Sequence, residues 1–292
     1  MTKVAFLGTG LMGAPMVLRL LAAGFEVHVW NRSPEKALQL GNAGATLAAS
    51  PSIAISGADI VCLCLTDGHA VEDLFFGAAA AAAALDADTL IVDFSTIGPV
   101  STRSLAARVS QRVTGVRWVD APVTGGVKGA ENGELVILAG GEPSDVETVH
   151  PLLSCLGKRV CHLGPLGAGQ AAKLCNQLIV AINVVAIAEA LALARANGLD
   201  ISALPDALAG GWADSLPLQI IGQRMASGIY EPPIVAVGTF GKDLALVLGT
   251  ATGEPPALAG KAAAIYRAAA AAGIGMADAT ALLGFIEQAG ER

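Results

Sequence analysis

The chain has 292 residues, of which 53% are hydrophobic and 15% are charged, and its formal net charge is −7. Such an apolar chain can bury a large core, which excludes an intrinsically disordered protein, and its length favours two domains over one. A negative net charge without any run of Lys or Arg excludes the usual nucleic-acid-binding protein, which presents a basic face.

The longest nearly apolar stretch, 178–194, contains Asn183 and Glu189 and is bounded by Lys173 and Arg195. A membrane-spanning helix needs about 20 mostly apolar residues, so this stretch favours a helix buried within a protein. The first apolar run resembles a strand, and no basic region with a cleavage site precedes it, so we expect no signal peptide. The five scattered cysteines include no CxxC pair, which is typical of free thiols. We expect a cytoplasmic protein with no membrane or nucleic-acid partner.

In chain order, apolar runs alternate with helical patterns through the first half of the sequence. The runs at 3–8, 25–30, 60–65, 89–93, 117–119 and 135–139 predict strands, and the patterns at 10–23, 34–42, 70–76 and 99–113 predict helices. The alanine tract at 78–84 predicts a short helix or a compact loop, because Ala is the best helix former. Strands that alternate with helices predict a doubly wound parallel sheet with right-handed crossovers.

After Gly164 the pattern is helical to the end of the chain. One long helix is predicted at about 170–197, with Gly198 as its stop signal. We therefore predict an α/β fold in which a Rossmann domain at 1–163 is followed by an all-α domain at 164–292, with the long helix between the domains.

A dinucleotide signature, GTGLMG, follows the first predicted strand and opens the first helix. Gly8 permits a tight turn, Gly10 lets the backbone approach a pyrophosphate, and Gly13 allows close packing of helix on sheet. The free N–H groups at the start of the helix then face the phosphates. A glycine-rich structural turn is the alternative. The predicted cofactor contacts of this loop are Gly8, Gly10, Leu11, Met12 and Gly13.

The end of the second strand indicates which dinucleotide is bound. NAD-binding proteins place an acid there to grip the ribose 2′-hydroxyl. This chain has Asn31, Arg32 and Ser33 instead, so no carboxylate repels a 2′-phosphate and Arg32 can pair with one. The pattern favours NADP, with NAD as a possibility; Arg32 could also stack on the adenine or face solvent.

Two later strand ends border the same crevice, because ligands of open α/β sheets bind at the carboxyl ends of the strands. Leu65 and Thr66 end one strand, and Thr96 follows another. Thr96 either bonds the cofactor or caps the helix that begins near Pro99, and the residues alone do not decide.

The segment after the strand at 117–119 holds Thr124, Gly125 and Gly126. A hydroxyl followed by accessible backbone N–H groups suits a substrate carboxylate, and a simple turn fits equally well. At the start of the long helix, Lys173 and Asn176 share one face, with Gln177 adjacent. An ammonium can protonate the alkoxide that hydride transfer creates. Spacing alone favours a solvated surface lysine.

The chain resembles the β-hydroxyacid dehydrogenase family, which includes 3-hydroxyisobutyrate dehydrogenase and tartronate semialdehyde (2-hydroxy-3-oxopropionate) reductase. The matching segments are FLGTGLMGAPM at 6–16, DFSTI at 93–97, DAPVTGG at 120–126, GAGQAAKLCNQ at 167–177 and GKDLALVL at 241–248. They stand in the family's order and cover essentially the whole chain.

The resemblance implies that Lys173 is the catalytic acid/base and that Asn176 assists it. It implies cofactor contacts for Thr96 and Lys242. Substrate contacts are implied for Thr124, Gly125, Gly126, Asn176 and Lys242. It also implies that the all-α domain builds a homodimer or homotetramer and completes the substrate site.

The expected activity is hydride transfer between NADP(H) and a small β-hydroxy acid or aldehyde acid. Candidates are tartronate semialdehyde, succinic semialdehyde, methylmalonate semialdehyde and glyoxylate. Many relatives have Ser at the position of Thr124 and Asn at that of Gln177; the Asn-Gln pair is more similar to tartronate semialdehyde reductases. One alternative is an imine or ketone reductase of the same fold; the imine-reductase branch usually lacks the lysine. The other is a non-catalytic NADP-binding scaffold.

The four histidines show no metal-ligand spacing, and we expect no metal.

Overall fold

The computed structural model describes residues 2–290, and the chain divides into two compact units, Met1–Lys173 and Leu174–Arg292. The first unit is α/β and contains both sheets. Within the described residues the second unit is helical, apart from one antiparallel bridge between Ala236 and Asp278. The predicted fold class is therefore confirmed, whereas the predicted domain boundary after residue 163 stays a prediction.

The elements follow one another as an alternating series and then as helices alone. The strands are β1 (Lys3–Leu7), β2 (Glu26–Trp30), β3 (Thr46–Leu47), β4 (Ile60–Leu63), β5 (Leu90–Asp93), β6 (Arg117–Asp120), β7 (Val123–Thr124), β8 (Leu135–Ala139) and β9 (Gly157–His162). The α-helices are α1 (Gly13–Ala22), α2 (Leu38–Asn42), α3 (Pro51–Ile55), α4 (Gly68–Phe76), α5 (Pro99–Arg112), α6 (Gly126–Asn132), α7 (Pro143–Leu156), α8 (Ala168–Ala196), α9 (Leu204–Ala207), α10 (Gln223–Ser227), α11 (Val237–Thr250), α12 (Ala257–Ala269) and α13 (Leu282–Gly290). Short 3-10 turns occupy Pro34–Lys36, Ala81–Ala84, Ile201–Ala203 and Ala279–Ala281, and π-helical turns occupy Leu218–Gly222 and Ala270–Ile274.

The larger sheet has six parallel strands in the order β3-β2-β1-β4-β5-β6. Its central strands are apolar along their length because packed side chains cover both faces. Phe6 belongs to one buried cluster and Leu7, its neighbour in β1, to another. The strand order reverses between β1 and β4, and sheets of this kind bind ligands at the carboxyl ends of the strands beside that reversal.

A second, three-stranded sheet pairs β7 antiparallel and β9 parallel with β8. The strand predicted at 135–139 therefore exists but lies outside the main sheet. Sequence patterns missed β3, β7 and β9. Both residues of β3 are exposed, and β9 carries the exposed Lys158 and Arg159, so neither has the apolar run that marks a buried strand.

The second unit packs its helices around α8, α11 and α12. Tyr266 of α12 is completely buried, its ring lies 5.5 Å from that of Phe240, and its hydroxyl donates to the Ala181 carbonyl of α8 at 3.0 Å. A buried hydroxyl needs such a partner because leaving it unpaired costs about 1–3 kcal/mol.

By length and composition alone, α8 could cross a membrane: it has 29 residues, and its most apolar window has a mean hydropathy of 2.1. The core helix of a soluble protein passes the same test, and 44% of that window is buried within the structure. The observed bounds of α8, Ala168–Ala196, lie close to the predicted 170–197.

Tyr266→Phe removes only the hydroxyl that bonds α8. We expect the free energy of unfolding to fall by about 1 kcal/mol, because one buried hydrogen bond is lost while the ring packing stays. Urea denaturation measures the change. Tyr230→Phe, at a side chain that is 49% exposed, is the matched control and should leave the midpoint unchanged. Equal losses in the two variants would contradict the assignment.

Candidate active site

The glycine loop after β1 is packed so closely that two positions exclude any side chain. Gly8 has a φ of +101°, and a Cβ there would stand 2.3 Å from the carbonyl oxygen of Cys64. A Cβ on Gly13 would stand 2.0 Å from the Gly8 carbonyl oxygen, whereas one on Gly10 would meet no atom within 4 Å. Gly8 and Gly13 are thus required by the fold, and Gly10 borders the open space that a pyrophosphate needs.

Asn31, directly after β2, ties that strand to the glycine loop. Its Oδ1 accepts a hydrogen bond from the Thr9 N–H at 3.0 Å, and its Nδ2 donates to the Ser33 carbonyl at 2.9 Å. Sequence reasoning missed this bridge. The side chain therefore supports the loop, and its contact with a cofactor stays a prediction.

A cavity of about 190 Å³ opens at the carboxyl ends of β1, β2 and β4. The predicted cofactor residues that line it are Gly8, Gly10, Asn31, Arg32, Ser33, Leu65 and Thr66. The predicted Leu11, Met12, Gly13 and Thr96 lie outside its lining. The exposed Arg32 shares the cavity with Lys36 and Asp73, two charged residues that sequence reasoning missed. The cavity thus collects residues from three separate strand ends.

A larger cavity, of about 640 Å³, lies at the opposite end of the same sheet. Its lining includes Ile60, Leu90 and Arg117, the first residues of three strands. Ligands of parallel sheets bind at the carboxyl ends, where loops and helix N-termini converge. The larger cavity is therefore not assigned to the cofactor, although its volume is greater.

Thr96 lies half-buried in the loop between β5 and α5. Its neighbour Ser95 accepts a hydrogen bond from the Leu65 N–H through Oγ at 2.9 Å, which joins the ends of β4 and β5. The N-cap residue of α5 is Gly98, so Thr96 does not occupy the N-cap position that the sequence left open for it.

Thr124 ends β7, and Gly125 and Gly126 follow with φ values of +129° and +65°. L side chains rarely adopt these conformations, so the turn requires glycine. Both glycines are exposed, and a Cβ on Gly126 would meet no atom within 4 Å. The backbone here is accessible to a ligand, and the predicted carboxylate contact stays a prediction.

Lys173 lies in the second turn of α8, and only 9% of it is exposed. This contradicts the solvated-surface interpretation that spacing alone favours. Lysine is almost never so buried unless it is paired, because taking an ammonium out of water is costly. A buried lysine on the helix that follows the Rossmann sheet is therefore a candidate functional group.

A polar chain fixes the side chains next along α8. Asn176 Nδ2 donates to Gln177 Oε1 at 2.9 Å, and Gln177 Nε2 donates to Asp243 Oδ2 at 2.5 Å. Lys242 Nζ lies 3.2 Å from Asp243 Oδ1. With Nδ2 engaged in this way, Oδ1 is the Asn176 atom that can accept a bond from a hydroxyl. The roles of Gln177 and Asp243 were missed because they depend on pairing across 66 positions of sequence.

Two buried acidic groups lie beside the cofactor strands. Burial raises the pKa of Asp93 to about 7, and the neighbouring Asp120 carboxyl adds to the rise. The hydrogen bonds from Ser95 lower the pKa but do not cancel this effect. Burial also raises the pKa of the Cys64 thiol to about 12, with a further contribution from Asp93. Cys64 lines the 190 Å³ cavity as a neutral thiol. Among residues 2–290, no three His, Cys, Asp or Glu side chains cluster as metal ligands would.

A doubly wound sheet with this glycine loop at its reversal point is the binding domain of a nicotinamide-dependent oxidoreductase. Residues 3–164 match the family model for the NAD binding domain of 6-phosphogluconate dehydrogenase. Residues 167–286 match the model described as NAD-binding of NADP-dependent 3-hydroxyisobutyrate dehydrogenase.

Relatives agree with both matches. The 2-hydroxy-3-oxopropionate reductase of Escherichia coli (strain K12) is 36% identical over 249 residues, which cover 85% of this chain and 84% of that protein. The NAD-dependent L-serine dehydrogenase of Pseudomonas aeruginosa is 38% identical over 217 residues, which cover 73% and 72%. The structure of Mycobacterium tuberculosis 3-hydroxyisobutyrate dehydrogenase with L-serine matches with a TM-score of 0.86 at 33% identity and covers 98% of this chain and 99% of that one. The chain belongs to the β-hydroxyacid dehydrogenase family and is an NAD(P)-dependent dehydrogenase.

The raised pKa of Asp93 predicts how stability depends on pH. The folded chain keeps the Asp93 proton up to a pH of about 7, whereas an unfolded aspartate loses it near a pH of about 3.9. The folded state binds more protons between these values, so Asp93 lowers the free energy of unfolding as the pH rises through that window. Asp93→Asn should flatten the dependence of Tm on pH there, as measured by calorimetry. Asp86→Asn, at an exposed aspartate, should keep the wild-type slope, and an equal flattening in that control would contradict the prediction.

Proposed function

We propose that the protein reduces a short aldehyde acid with NADPH and oxidises the corresponding hydroxy acid in reverse. The burial of Lys173 carries this proposal, because a buried ammonium on α8 is suited to a proton transfer that excludes bulk water. When bound, the nicotinamide supplies or accepts the hydride. The chain then has to bind the acid, orient its carbonyl and supply one proton.

Lys173 Nζ supplies that proton to the carbonyl oxygen as the oxygen becomes a hydroxyl. In the oxidative direction the neutral amine takes the proton back. Asn176 lies one turn further along α8, and its Oδ1 can accept the hydroxyl hydrogen while Gln177 holds its Nδ2. A fixed acceptor next to the proton donor orients the reacting oxygen. It raises the rate more than a mobile acceptor would, because the reacting groups are already aligned.

The substrate class follows from the carboxylate that the loop of Thr124, Gly125 and Gly126 would bind. The Thr124 hydroxyl and the accessible N–H groups of the two glycines are donors suited to an anion. The relatives named above act on 2-hydroxy-3-oxopropionate and on L-serine, which are both three-carbon acids oxygenated at the third carbon. We infer a substrate of two to four carbons, and the compounds to assay are tartronate semialdehyde, methylmalonate semialdehyde, succinic semialdehyde and glyoxylate.

We infer that NADPH is preferred over NADH. Arg32 and Lys36 place two cations at the cavity, where the second strand ends without an acid. A 2′-phosphate carries a charge of nearly −2, so both cations attract it. An NAD-dependent L-serine dehydrogenase is similar over 73% of this chain, so the preference we propose depends on the residues of this site.

We also propose that the protein is a cytoplasmic homo-oligomer with no membrane or nucleic-acid partner. The second unit exposes several large apolar side chains, among them Trp212, Leu216, Leu258 and Met276. Where such side chains adjoin one another, they suit a surface that another subunit covers. All five cysteines are free, as expected in a reducing compartment. Light scattering of the purified chain measures the oligomer.

Lys173→Met tests the proton transfer, since methionine keeps a long unbranched side chain in the buried position. We expect kcat for reduction to fall by about 100- to 10,000-fold, because general acid catalysis contributes about that factor. The KM for the aldehyde acid should change little. The assay follows oxidation of NADPH with each of the four aldehyde acids. Lys158→Met, at an exposed lysine of β9, is the control and should retain full activity.

Each other outcome has a definite meaning. Turnover of a cyclic imine but of no aldehyde acid would favour the imine-reductase alternative. Tight NADPH binding with no turnover of either class would favour a scaffold. Retention of wild-type kcat in Lys173→Met would remove Lys173 from the mechanism and leave the family assignment intact.

Arg32→Ala tests the cofactor proposal. We expect the KM for NADPH to rise about 10- to 100-fold, since a bond to a charged group contributes about 1.5–3 kcal/mol. The KM for NADH, which has no 2′-phosphate, should stay within a factor of about 3 of the wild-type value. Arg159→Ala, at an exposed arginine of β9, controls for a general loss of positive charge. Equal changes for the two cofactors in Arg32→Ala would contradict a role in phosphate binding.

A further inference from the structure

The start of α8 is held by a carboxylate from the sheet. A helix begins with N–H groups that have no partner within the helix, and a buried start must find them elsewhere. Asp120, the last residue of β6, supplies both acceptors: Oδ1 accepts from the Gly167 N–H and Oδ2 from the Gln170 N–H, each at 2.7 Å. The main chain of Asp120 is itself fixed by two hydrogen bonds to Gly140, at 2.8 and 2.9 Å. The helix start is thus joined to a residue whose main chain is hydrogen-bonded on both sides.

A side chain of α8 in turn holds the loop that contains Thr96. Gln170 is completely buried, and its Oε1 accepts from the Ile97 and Gly98 N–H groups at 3.0 Å each. Its Nε2 donates to the Ser95 carbonyl at 2.7 Å. One side chain therefore satisfies three main-chain groups on both sides of Thr96. These three bonds add to the one that the Ser95 N–H donates to Asp93 Oδ1 at 2.9 Å, so the conformation of the loop depends in part on Gln170.

Close packing leaves the same helix start no room to shift. A Cβ on Gly169 would stand 2.1 Å from the Leu138 carbonyl oxygen, and one on Gly140 would stand 2.7 Å from the Gly169 nitrogen. The turn of α8 before Lys173 therefore lies in backbone contact with β8 and with the residue that follows it. Hydrogen bonds and close backbone packing therefore both hold this turn in place.

We propose that Asp120 and Gln170 are positioning residues, which hold the turn of α8 that precedes Lys173 in fixed register with the loop that carries Thr96. The proposal rests on the proposed function, in which Lys173 transfers the proton and Thr96 contacts the cofactor. Neither Asp120 nor Gln170 touches the reacting atoms. They act by keeping the proton donor and the cofactor loop at one separation, since a displacement of about 1 Å can cost about 100-fold in rate.

Gln170→Met removes all three bonds of the Gln170 side chain, and Asp120→Asn replaces one of two accepting oxygens by an NH2 group that cannot accept, each with little change in side-chain size. Gln111→Met, at an exposed position of α5, is the control for the first variant. Asp278→Asn is the control for the second, because Asp278 is also buried and also accepts backbone N–H groups, from Ile234, Val235 and Thr280 in the second unit. Both aspartate variants should lower Tm, which separates loss of stability from loss of positioning.

The decisive readout is the primary isotope effect with reduced cofactor deuterated at the transferred hydrogen. In Gln170→Met and Asp120→Asn we expect kcat to fall by about 100-fold and the isotope effect to rise, because misalignment slows hydride transfer itself. The KM for the aldehyde acid should stay within a factor of about 3. The controls should keep the wild-type kcat and isotope effect. A loss of Tm with unchanged kcat and isotope effect would show a merely structural role and overturn the proposal.

If Gln170→Met does not fold, Gln170→Glu replaces it, since one carboxylate oxygen can still accept from Ile97 and Gly98. We then expect a kcat between those of the control and of Asp120→Asn.

A failure of the proposed function is distinguishable from a failure of this proposal. If the wild-type protein turns over no substrate of the panel, the proposed function fails, and the loop is then assayed by the Kd for NADPH from its fluorescence. Gln170→Met should weaken binding by about tenfold, equivalent to about 1.4 kcal/mol, because the cofactor loop loses its support. The Kd of Gln111→Met should equal that of the wild type. An unchanged Kd in Gln170→Met would overturn the positioning role.

Discussion

Parallel strands that end at one edge of a sheet bring their last side chains together, and in this protein two of those side chains are buried carboxyl groups. Asp93 and Asp120 are register partners on β5 and β6, and neither is exposed. Removal of two like charges from water side by side is costly, so the structure has to treat them differently. Asp120 accepts two N–H groups of α8, which oppose the rise of its pKa caused by burial. Asp93, whose Oδ2 has no hydrogen-bond partner among the described residues, has its pKa raised to about 7.

The magnitudes show why Asp120 matters to α8 through hydrogen bonding more than through charge. A carboxylate at a helix N-terminus gains about 0.3–1 kcal/mol from the helix dipole at an exposed site. Each buried N–H left without an acceptor costs about 1–3 kcal/mol, and Asp120 satisfies two of them. The two hydrogen bonds to Asp120 therefore stabilise the start of α8 more than its charge does. Their contribution also outweighs the cost of a lysine near the positive end of a helix, which is about 0.3–1 kcal/mol at an exposed site.

Much of the fold follows from local patterns, whereas most of the site depends on long-range pairing. The run VAFL in β1 and the GTGLMG loop are visible in sequence because burial and tight turns restrict residue type locally. The strand β3 is invisible because it is two exposed residues at a sheet edge. The bond between Asp120 and Gln170 joins residues 50 positions apart, and that between Gln177 and Asp243 joins residues 66 apart. Neither pair has a spacing that helix or strand periodicity can detect, and Lys173 looks like a surface residue until its burial is known.

Charge at the cavity explains why its selectivity depends on a few exposed side chains. The thiol of Cys64, which lines the cavity, is kept neutral by burial, so it adds no charge that would repel a phosphate. The exposed groups are Arg32, Lys36 and Asp73, two cations against one anion. Because each is exposed, solvent and salt weaken its interaction, and no single pair contributes as a buried one would. Discrimination between cofactors that differ by one phosphate then depends on bonds made directly to that group. The preference that we propose therefore depends on the exposed side chains at the end of β2 rather than on the glycine loop, in which Gly8 and Gly13 are buried.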